Sequence, residues 1–79
     1  MITKNLLLDF FRQQLGVTTS SLSDDTALFS SGLIDSFSLV SMMSFLETEG
    51  GFRISAADVS LENMDTIGRI LRYVERMSS

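Results

Sequence analysis

Apolar residues recur at helical spacing over most of this chain. The opening segment has apolar side chains at positions 6, 7, 10, 11 and 15, which is the three- and four-residue spacing of one helix face. Residues 36–49 form a hydrophobic run that ends at Gly50 and Gly51, a pair suited to a helix C-terminus. The closing segment repeats the helical pattern with Ile67, Ile70, Leu71, Val74 and Met77. No stretch alternates between apolar and polar residues for long, so the pattern predicts helices.

Polar residues indicate where these helices begin. Thr3 is a candidate N-cap for the first helix, and Gly16 follows its end. Ser55 and Asp58 resemble a capping box for a short helix, and Asp65 is predicted to cap the last one. We therefore predict one domain over residues 1–79, with helices at about 3–15, 36–49, 56–61 and 65–77. The predicted fold class is all-α, a small four-helix bundle with three longer helices and one short helix.

A long loop separates the first two predicted helices. Residues 17–32 are rich in Ser, Thr and Asp, which bond to their own backbone and favour turns. Leu22, Leu28 and Phe29 interrupt this polar stretch. We expect these three side chains to hold the loop against the core, and loops of this length are often functional.

The composition excludes several classes of function. Ten acidic and six basic residues give a net charge of −4, which suits nucleic acid poorly. The absence of His and Cys removes the commonest general base and the commonest zinc ligands, so we predict no catalytic residues and no metal site. No apolar run reaches the ~18–20 residues that a membrane span needs. No signal peptide opens the sequence, and we expect a cytoplasmic protein.

Ser36 stands where the second helix is predicted to begin. Ser or Asp at such a position is most often an N-cap. The free N–H groups and the dipole at a helix N-terminus also favour an anion, so a phosphate ester on Ser36 would be stabilised there. Asp35 would compete with that phosphate, orient the hydroxyl or bind a cationic partner. The two roles are compatible if Asp35 caps the helix and Ser36 points outward.

The second helix has an unusual outer face. On a helical wheel, Leu39, Met42 and Leu46 form the core stripe, and Val40, Met43 and Glu47 lie on the same side as Ser36. The remaining face carries Ser and Thr with two aromatic residues, Phe37 and Phe45, and we leave open whether these fold onto the loop or contact a partner. Exposed apolar groups of this kind often mark contact sites.

Residues 32–37 read Gly32-Leu33-Ile34-Asp35-Ser36-Phe37, directly at the start of the predicted second helix. This stretch matches the attachment motif, Gly-x-x-Asp-Ser followed by a hydrophobic residue, of the acyl carrier protein family, the small phosphopantetheine-binding domains. The chain resembles that family over nearly its whole length. The resemblance implies that a phosphopantetheinyl transferase moves phosphopantetheine from coenzyme A to Ser36, with Asp35 part of the site. The thiol of that arm then carries acyl or aminoacyl groups as thioesters. The chain itself would be a non-catalytic carrier that loading and acyl-transfer enzymes use.

The sequence departs from fatty-acid carriers, whose second helix is strongly acidic. Here the outward positions of that helix carry hydroxyl side chains, so charge steering should be weak. We therefore predict a monomeric carrier for a dedicated pathway, of specialised-metabolite, amino-acid or D-alanyl type, rather than for general fatty-acid synthesis. The predicted partner interface consists of Leu33, Ile34, Phe37, Val40, Ser41, Met43, Ser44 and Glu47.

Two other functions remain open from the residues alone. One is a helical protein-interaction domain that is not modified. The other is a small hydrolase that uses Ser36, which would need a base such as Asp35, Glu47 or Lys4 within hydrogen-bond reach. The absence of His disfavours the hydrolase.

Overall fold

The computed structural model describes residues 2–20 and 22–78, so the predicted domain ends at 1 and 79 lie outside the described residues. The described residues form four α-helices: α1 (Lys4–Gln14), α2 (Ser36–Gly50), α3 (Leu61–Met64) and α4 (Ile67–Ser78). A single turn of 3₁₀ helix, Ala56–Asp58, lies between α2 and α3. No strand occurs in the described part of the chain, and the predicted all-α fold with three longer helices and one short helix is confirmed.

Helix α1 begins and ends where its polar residues predict. The Thr3 side chain accepts a hydrogen bond from the backbone N–H of Leu6 (3.1 Å), which satisfies one of the unpaired donors of the first turn. Gly16 follows the helix with a φ of 67°, a left-handed conformation that glycine adopts without a Cβ clash. The helix buries Leu7 and Phe11 completely in the core.

Helix α2 packs against α4 and also contacts α1 through an aromatic pair. Met42 and Leu46 of its predicted core stripe are fully buried, and Gly51 ends the helix with a φ of 71°. The ring of Phe45 stacks on that of Phe10, with 4.4 Å between their centroids. Helix α1 therefore covers part of the face of α2 that a helical wheel assigns to solvent.

The short third helix lies further along the chain than predicted. Ser55 forms no side-chain cap, and its turn is the 3₁₀ helix instead. The reason is that the Asp58 carboxylate accepts a hydrogen bond from the Tyr73 hydroxyl (2.9 Å), so it does not reach back to complete a capping box. The α-helical turn starts only at Leu61, after Ser60, whose hydroxyl accepts from the N–H of Asn63.

The prediction that Asp65 caps the last helix is wrong. The hydroxyl of Thr66 accepts a hydrogen bond from the N–H of Arg69 (3.0 Å), which makes Thr66 the capping side chain of α4. Asp65 is the C-cap residue that follows α3, and its carboxylate points towards the loop between α1 and α2. A tertiary contact has therefore replaced the local one.

The long loop is held on the core, as its apolar residues predict. Leu28 is fully buried, and Leu22 and Phe29 pack against the core while half-buried. A main-chain contact adds to this anchoring, since the N–H of Gly68 in the first turn of α4 donates to the carbonyl of Asp24 (3.0 Å). A Cβ on Gly68 would lie 3.2 Å from that oxygen, so the glycine allows the loop to approach α4 closely.

Candidate functional site

Ser36 is the first residue of α2, and the preceding residue caps the helix. Asp35 has an extended backbone, and its Oδ1 accepts the N–H of Ser38 (2.8 Å). Both Asp35 and Ser36 are exposed. Since Asp35 performs the capping, the hydroxyl of Ser36 is not needed for that role and lies at the surface.

Asp35 is held in its charged form. Hydrogen bonding from the backbone N–H of Ser38, followed by its side chain, keeps the pKa of Asp35 below its ordinary value. A carboxylate therefore stands next to the Ser36 hydroxyl at neutral pH. This carboxylate would repel a phosphate ester on Ser36, whereas the first-turn N–H groups of α2 would attract it, because a helix N-terminus favours negative charge.

The loop that leads to Ser36 is fixed by its own backbone. The N–H of Ile34 donates to the carbonyl of Leu28 (2.8 Å), and the N–H of Gly32 donates to that of Phe29 (3.1 Å). Gly32 has a φ of 80°, which favours glycine at this turn. The positive φ therefore explains why the motif has glycine at this position. The turn leads the chain directly into α2.

Asp65 joins this loop to the junction between α3 and α4, a contact that sequence reasoning missed. Its Oδ1 accepts the backbone N–H groups of Phe29 (2.8 Å) and Ser30 (2.9 Å), and its Oδ2 accepts the Ser30 hydroxyl (2.7 Å). Its main-chain carbonyl accepts the N–H of Leu28 (2.7 Å). Asp65 is only 9% exposed. Of the described residues that are buried, it is the one with a charged side chain.

The surroundings of Asp65 act on its pKa in opposite directions. Burial alone would raise it, but hydrogen bonds from the backbone and side chain of Ser30 and from the backbone of Phe29 lower the pKa below its ordinary value. Asp65 is therefore ionised at neutral pH. No local pattern signals this role, because its partners precede it by 35 and 36 residues.

An open cavity of about 460 Å³ lies beside Ser36, between the loop, the start of α2 and α3. Most of its lining is apolar. Its walls are formed by Phe29, Gly32, Ile34, Asp35, Ser36, Leu39, Val59, Ser60, Leu61 and Met64. The cavity offers room for a slender group attached to the Ser36 hydroxyl, so the residues present fit such a modification.

The residues of the predicted partner interface divide by exposure. Leu33, Phe37 and Val40 are 46%, 82% and 65% exposed, and Ser41 and Ser44 are exposed beside them on α2. Of the two aromatic residues left open by the sequence, Phe37 is therefore solvent-facing, whereas Phe45 is packed.

The other predicted interface residues are less accessible. Ile34 is in the core, Met43 is half-buried, and Glu47 accepts the N–H of Ile54 (2.7 Å). One exposed apolar residue was not foreseen. Leu61 of α3 is 52% exposed and lines the same cavity as Ser36.

The described part of the chain has neither a cluster of metal ligands nor a membrane-spanning helix. Over residues 2–20 and 22–78, no group of three Asp or Glu side chains is placed to hold a metal ion. Within the same ranges, none of the helices combines the length and apolar character needed to cross a membrane.

Comparison with known proteins connects this geometry to a family. A family model described as "Phosphopantetheine attachment site" matches residues 5–74. The acyl carrier protein of Thermotoga maritima is 33% identical over 64 residues, which cover 81% of this chain and 76% of that protein. A solved structure described as "Crystal structure of FAD-dependent dehydrogenase" contains a chain with a TM-score of 0.76 and 18% identity, matched over 87% of this chain and 99% of that chain. At that identity, the last similarity shows the fold alone.

The family match spans most of the sequence, and it includes the loop, the start of α2 and the cavity. The relative from Thermotoga maritima independently carries the name of the same family. The chain therefore belongs to the acyl carrier protein family, the carrier domains whose prosthetic group is a covalently attached phosphopantetheine.

Proposed function

We propose that Ser36 is the attachment point of phosphopantetheine and that the chain carries acyl or aminoacyl intermediates for partner enzymes. The observation that carries this proposal is the position of Ser36. It is exposed at the first residue of α2, beside the mainly apolar cavity, while Asp35 caps the helix in its place. The match of Gly32-Leu33-Ile34-Asp35-Ser36-Phe37 to the family motif supports the same residue.

The chain contributes a nucleophilic hydroxyl and a rigid support for it. The Ser36 oxygen forms a bond to the phosphorus nearest the pantetheine in coenzyme A, while the pyrophosphate bond breaks and the nucleotide leaves. A separate phosphopantetheinyl transferase supplies the base for this step. The N-terminus of α2 then stabilises the resulting phosphodiester, and Asp35 keeps the first turn in place. When bound, the group supplies a thiol that carries cargo as a thioester, which a chain without Cys cannot supply.

The proposed partner surface surrounds the attachment point and is almost uncharged. From Thr26 to Leu46 the sequence has one charged residue, Asp35. Leu33, Phe37 and Val40 expose apolar area on this surface, flanked by Ser41 and Ser44. We add Leu61 to this surface because it is exposed at the rim of the same cavity.

Three of the other residues of the proposed interface have supporting positions. Ile34 lies in the core beneath the loop, Met43 is half-buried, and Glu47 holds the backbone of Ile54. Partners recognise this surface mainly by apolar contact, and their association depends weakly on ionic strength. That feature supports a carrier of a dedicated pathway, of specialised-metabolite, amino-acid or D-alanyl type. The monomeric state and the cytoplasmic location stay predictions from the sequence.

Mass spectrometry of the intact protein tests the attachment point. The purified chain is incubated with coenzyme A and a broad-specificity phosphopantetheinyl transferase. The wild type and Ser55→Ala gain the mass of one phosphopantetheine, whereas Ser36→Ala gains nothing. Ser55 is a matched control because it is an exposed serine outside the proposed partner surface, and its side chain does not cap the helical turn that follows it. A gain that persists in Ser36→Ala, or no gain in the wild type, contradicts the proposal and favours an unmodified interaction domain.

A further inference from the structure

Asp65 lies between α3 and α4 and binds the loop between α1 and α2, which is distant from it in the sequence. Its carboxylate binds the loop at Phe29 and Ser30, its carbonyl binds Leu28, and its backbone joins α3 to α4. The three carboxylate bonds span 2.7–2.9 Å and are partly buried, and hydrogen bonds to a charged acceptor are stronger than neutral ones.

The anchored loop leads directly to the attachment point. The carbonyl of Leu28 accepts a hydrogen bond from the N–H of Ile34 (2.8 Å). Leu28 is therefore bound both to Asp65 and to Ile34, which is the residue before Asp35. Asp35 in turn caps α2 and places Ser36 at its first turn. A continuous chain of hydrogen bonds and backbone thus runs from Asp65 to Ser36.

The same bonds hold opposite walls of the cavity together. Phe29, Gly32 and Ile34 line it from the loop, and Met64, the residue before Asp65, lines it from α3. If the carboxylate released the loop, Phe29 and Ser30 would lose their polar connection to the α3 side of the cavity, while the main-chain bond from Leu28 to Asp65 would remain. A displacement of about 1 Å in a reacting group is enough to slow a reaction by up to about a hundredfold.

We propose that Asp65 is a positioning residue, which fixes the loop against the α3–α4 junction and thereby presents Ser36, and the cavity beside it, in the geometry that partner enzymes use. This proposal rests on the proposed attachment at Ser36. Asp65 touches neither the transferred group nor the hydroxyl. Its effect passes through Leu28, Phe29 and Ser30.

Three variants separate this role from a general loss of stability. Asp65→Asn keeps an oxygen that can accept the N–H groups of Phe29 and Ser30, but it removes the charge. Asp65→Ala removes all three carboxylate bonds. Asp25→Asn makes the same chemical change at an exposed position of the same loop and is the control. Each variant is first shown to be folded by circular dichroism at low temperature.

The first measurement is the rate of modification by a phosphopantetheinyl transferase. We expect Asp65→Ala to lower kcat by about tenfold with the KM for the carrier within about twofold, because the hydroxyl that reacts is misplaced. Asp65→Asn should recover part of this loss, and Asp25→Asn should match the wild type. If Asp65→Ala does not fold, Asp65→Asn and Ser30→Ala provide the comparison. Folded variants of Asp65 with wild-type kinetics overturn the proposal.

The second measurement is amide hydrogen exchange of the unmodified protein, which does not depend on attachment. Release of the loop should speed exchange at Phe29, Ser30 and Ile34 by at least about tenfold relative to amides in the middle of α1. Unchanged relative exchange in Asp65→Ala overturns the positioning role, whether or not Ser36 is modified. No modification of the wild type, combined with faster loop exchange, instead contradicts the proposed function while keeping the coupling of Asp65 to the loop.

Discussion

Replacement of Leu28 by Ala is predicted to destabilise the chain far more than the same change at Leu33, five residues later in the same loop. Leu28 is fully buried, whereas Leu33 is 46% exposed. The backbone bonds of Leu28 to Asp65 and Ile34 do not require its side chain and remain in the variant. The pair therefore isolates how much the side chain of a loop residue contributes to the core.

The expected magnitude follows from the atoms removed. Leu→Ala deletes three carbons, which is a transfer term of about 2.4 kcal/mol at ~0.8 kcal/mol per buried methylene. The cavity left behind raises the total to about 3–5 kcal/mol for a fully buried leucine. A chain of this length has roughly 4–12 kcal/mol of total stability. Leu28→Ala therefore removes a large fraction of it, while Leu33→Ala should cost about 0.5 kcal/mol or less.

Urea denaturation followed by far-ultraviolet circular dichroism measures both values. With a slope of about 1 kcal/mol per molar urea for a small domain, Leu28→Ala lowers the midpoint by about 3–5 M or leaves the chain partly unfolded in buffer. Leu33→Ala shifts it by about 0.5 M or less. A loss below about 1 kcal/mol at Leu28, or equal losses at the two positions, would refute the view that this loop belongs to the core.

Two further predictions concern α4. Burial, together with the hydrogen bond to Asp58, raises the pKa of Tyr73 to about 12 from an ordinary 10.0, so the neutral hydroxyl stabilises the fold below pH 10 and this contribution is lost as the pH rises towards 12. Because the chain has one tyrosine and no tryptophan, phenolate absorbance reports it alone, and a midpoint near 10 in the folded protein would contradict the assignment. Gly68→Val should cost about 1–3 kcal/mol in urea denaturation, because even its Cβ would lie 3.2 Å from the Asp24 carbonyl; a neutral result would show that the loop yields at this point.

The positions of the longer helices follow from sequence because their causes are local. Spacing of apolar residues determines which face is buried, and Thr3, Asp35 and Gly51 start or end helices through bonds and backbone conformations within a few residues. The motif around Ser36 is equally local, so the sequence also indicates the candidate attachment residue.

The capping predictions failed where a carboxylate had possible hydrogen-bond partners both nearby and far away in the sequence. Asp58 and Asp65 both had the right spacing to cap a helix, and each is instead bound by a residue distant in the chain, Tyr73 and Ser30 respectively. A side chain has one orientation at a time, so a carboxylate that is turned towards distant donors does not reach the N–H groups of its own helix. A charged group that becomes buried must also find hydrogen-bond partners in the interior. Sequence spacing does not reveal which set will be available.

Phe37 and Phe45 illustrate the same division on α2. Both are aromatic residues on one side of the helical wheel, and the sequence alone could not distinguish them. Helix α1 places Phe10 against Phe45 and leaves Phe37 exposed beside Ser36. The sequence by itself thus determined the three longer helices, the loop and the motif, because these depend on neighbours along the chain. Only the tertiary structure decided which polar and aromatic side chains hold the bundle together and which remain at the surface, because that depends on how the helices pack.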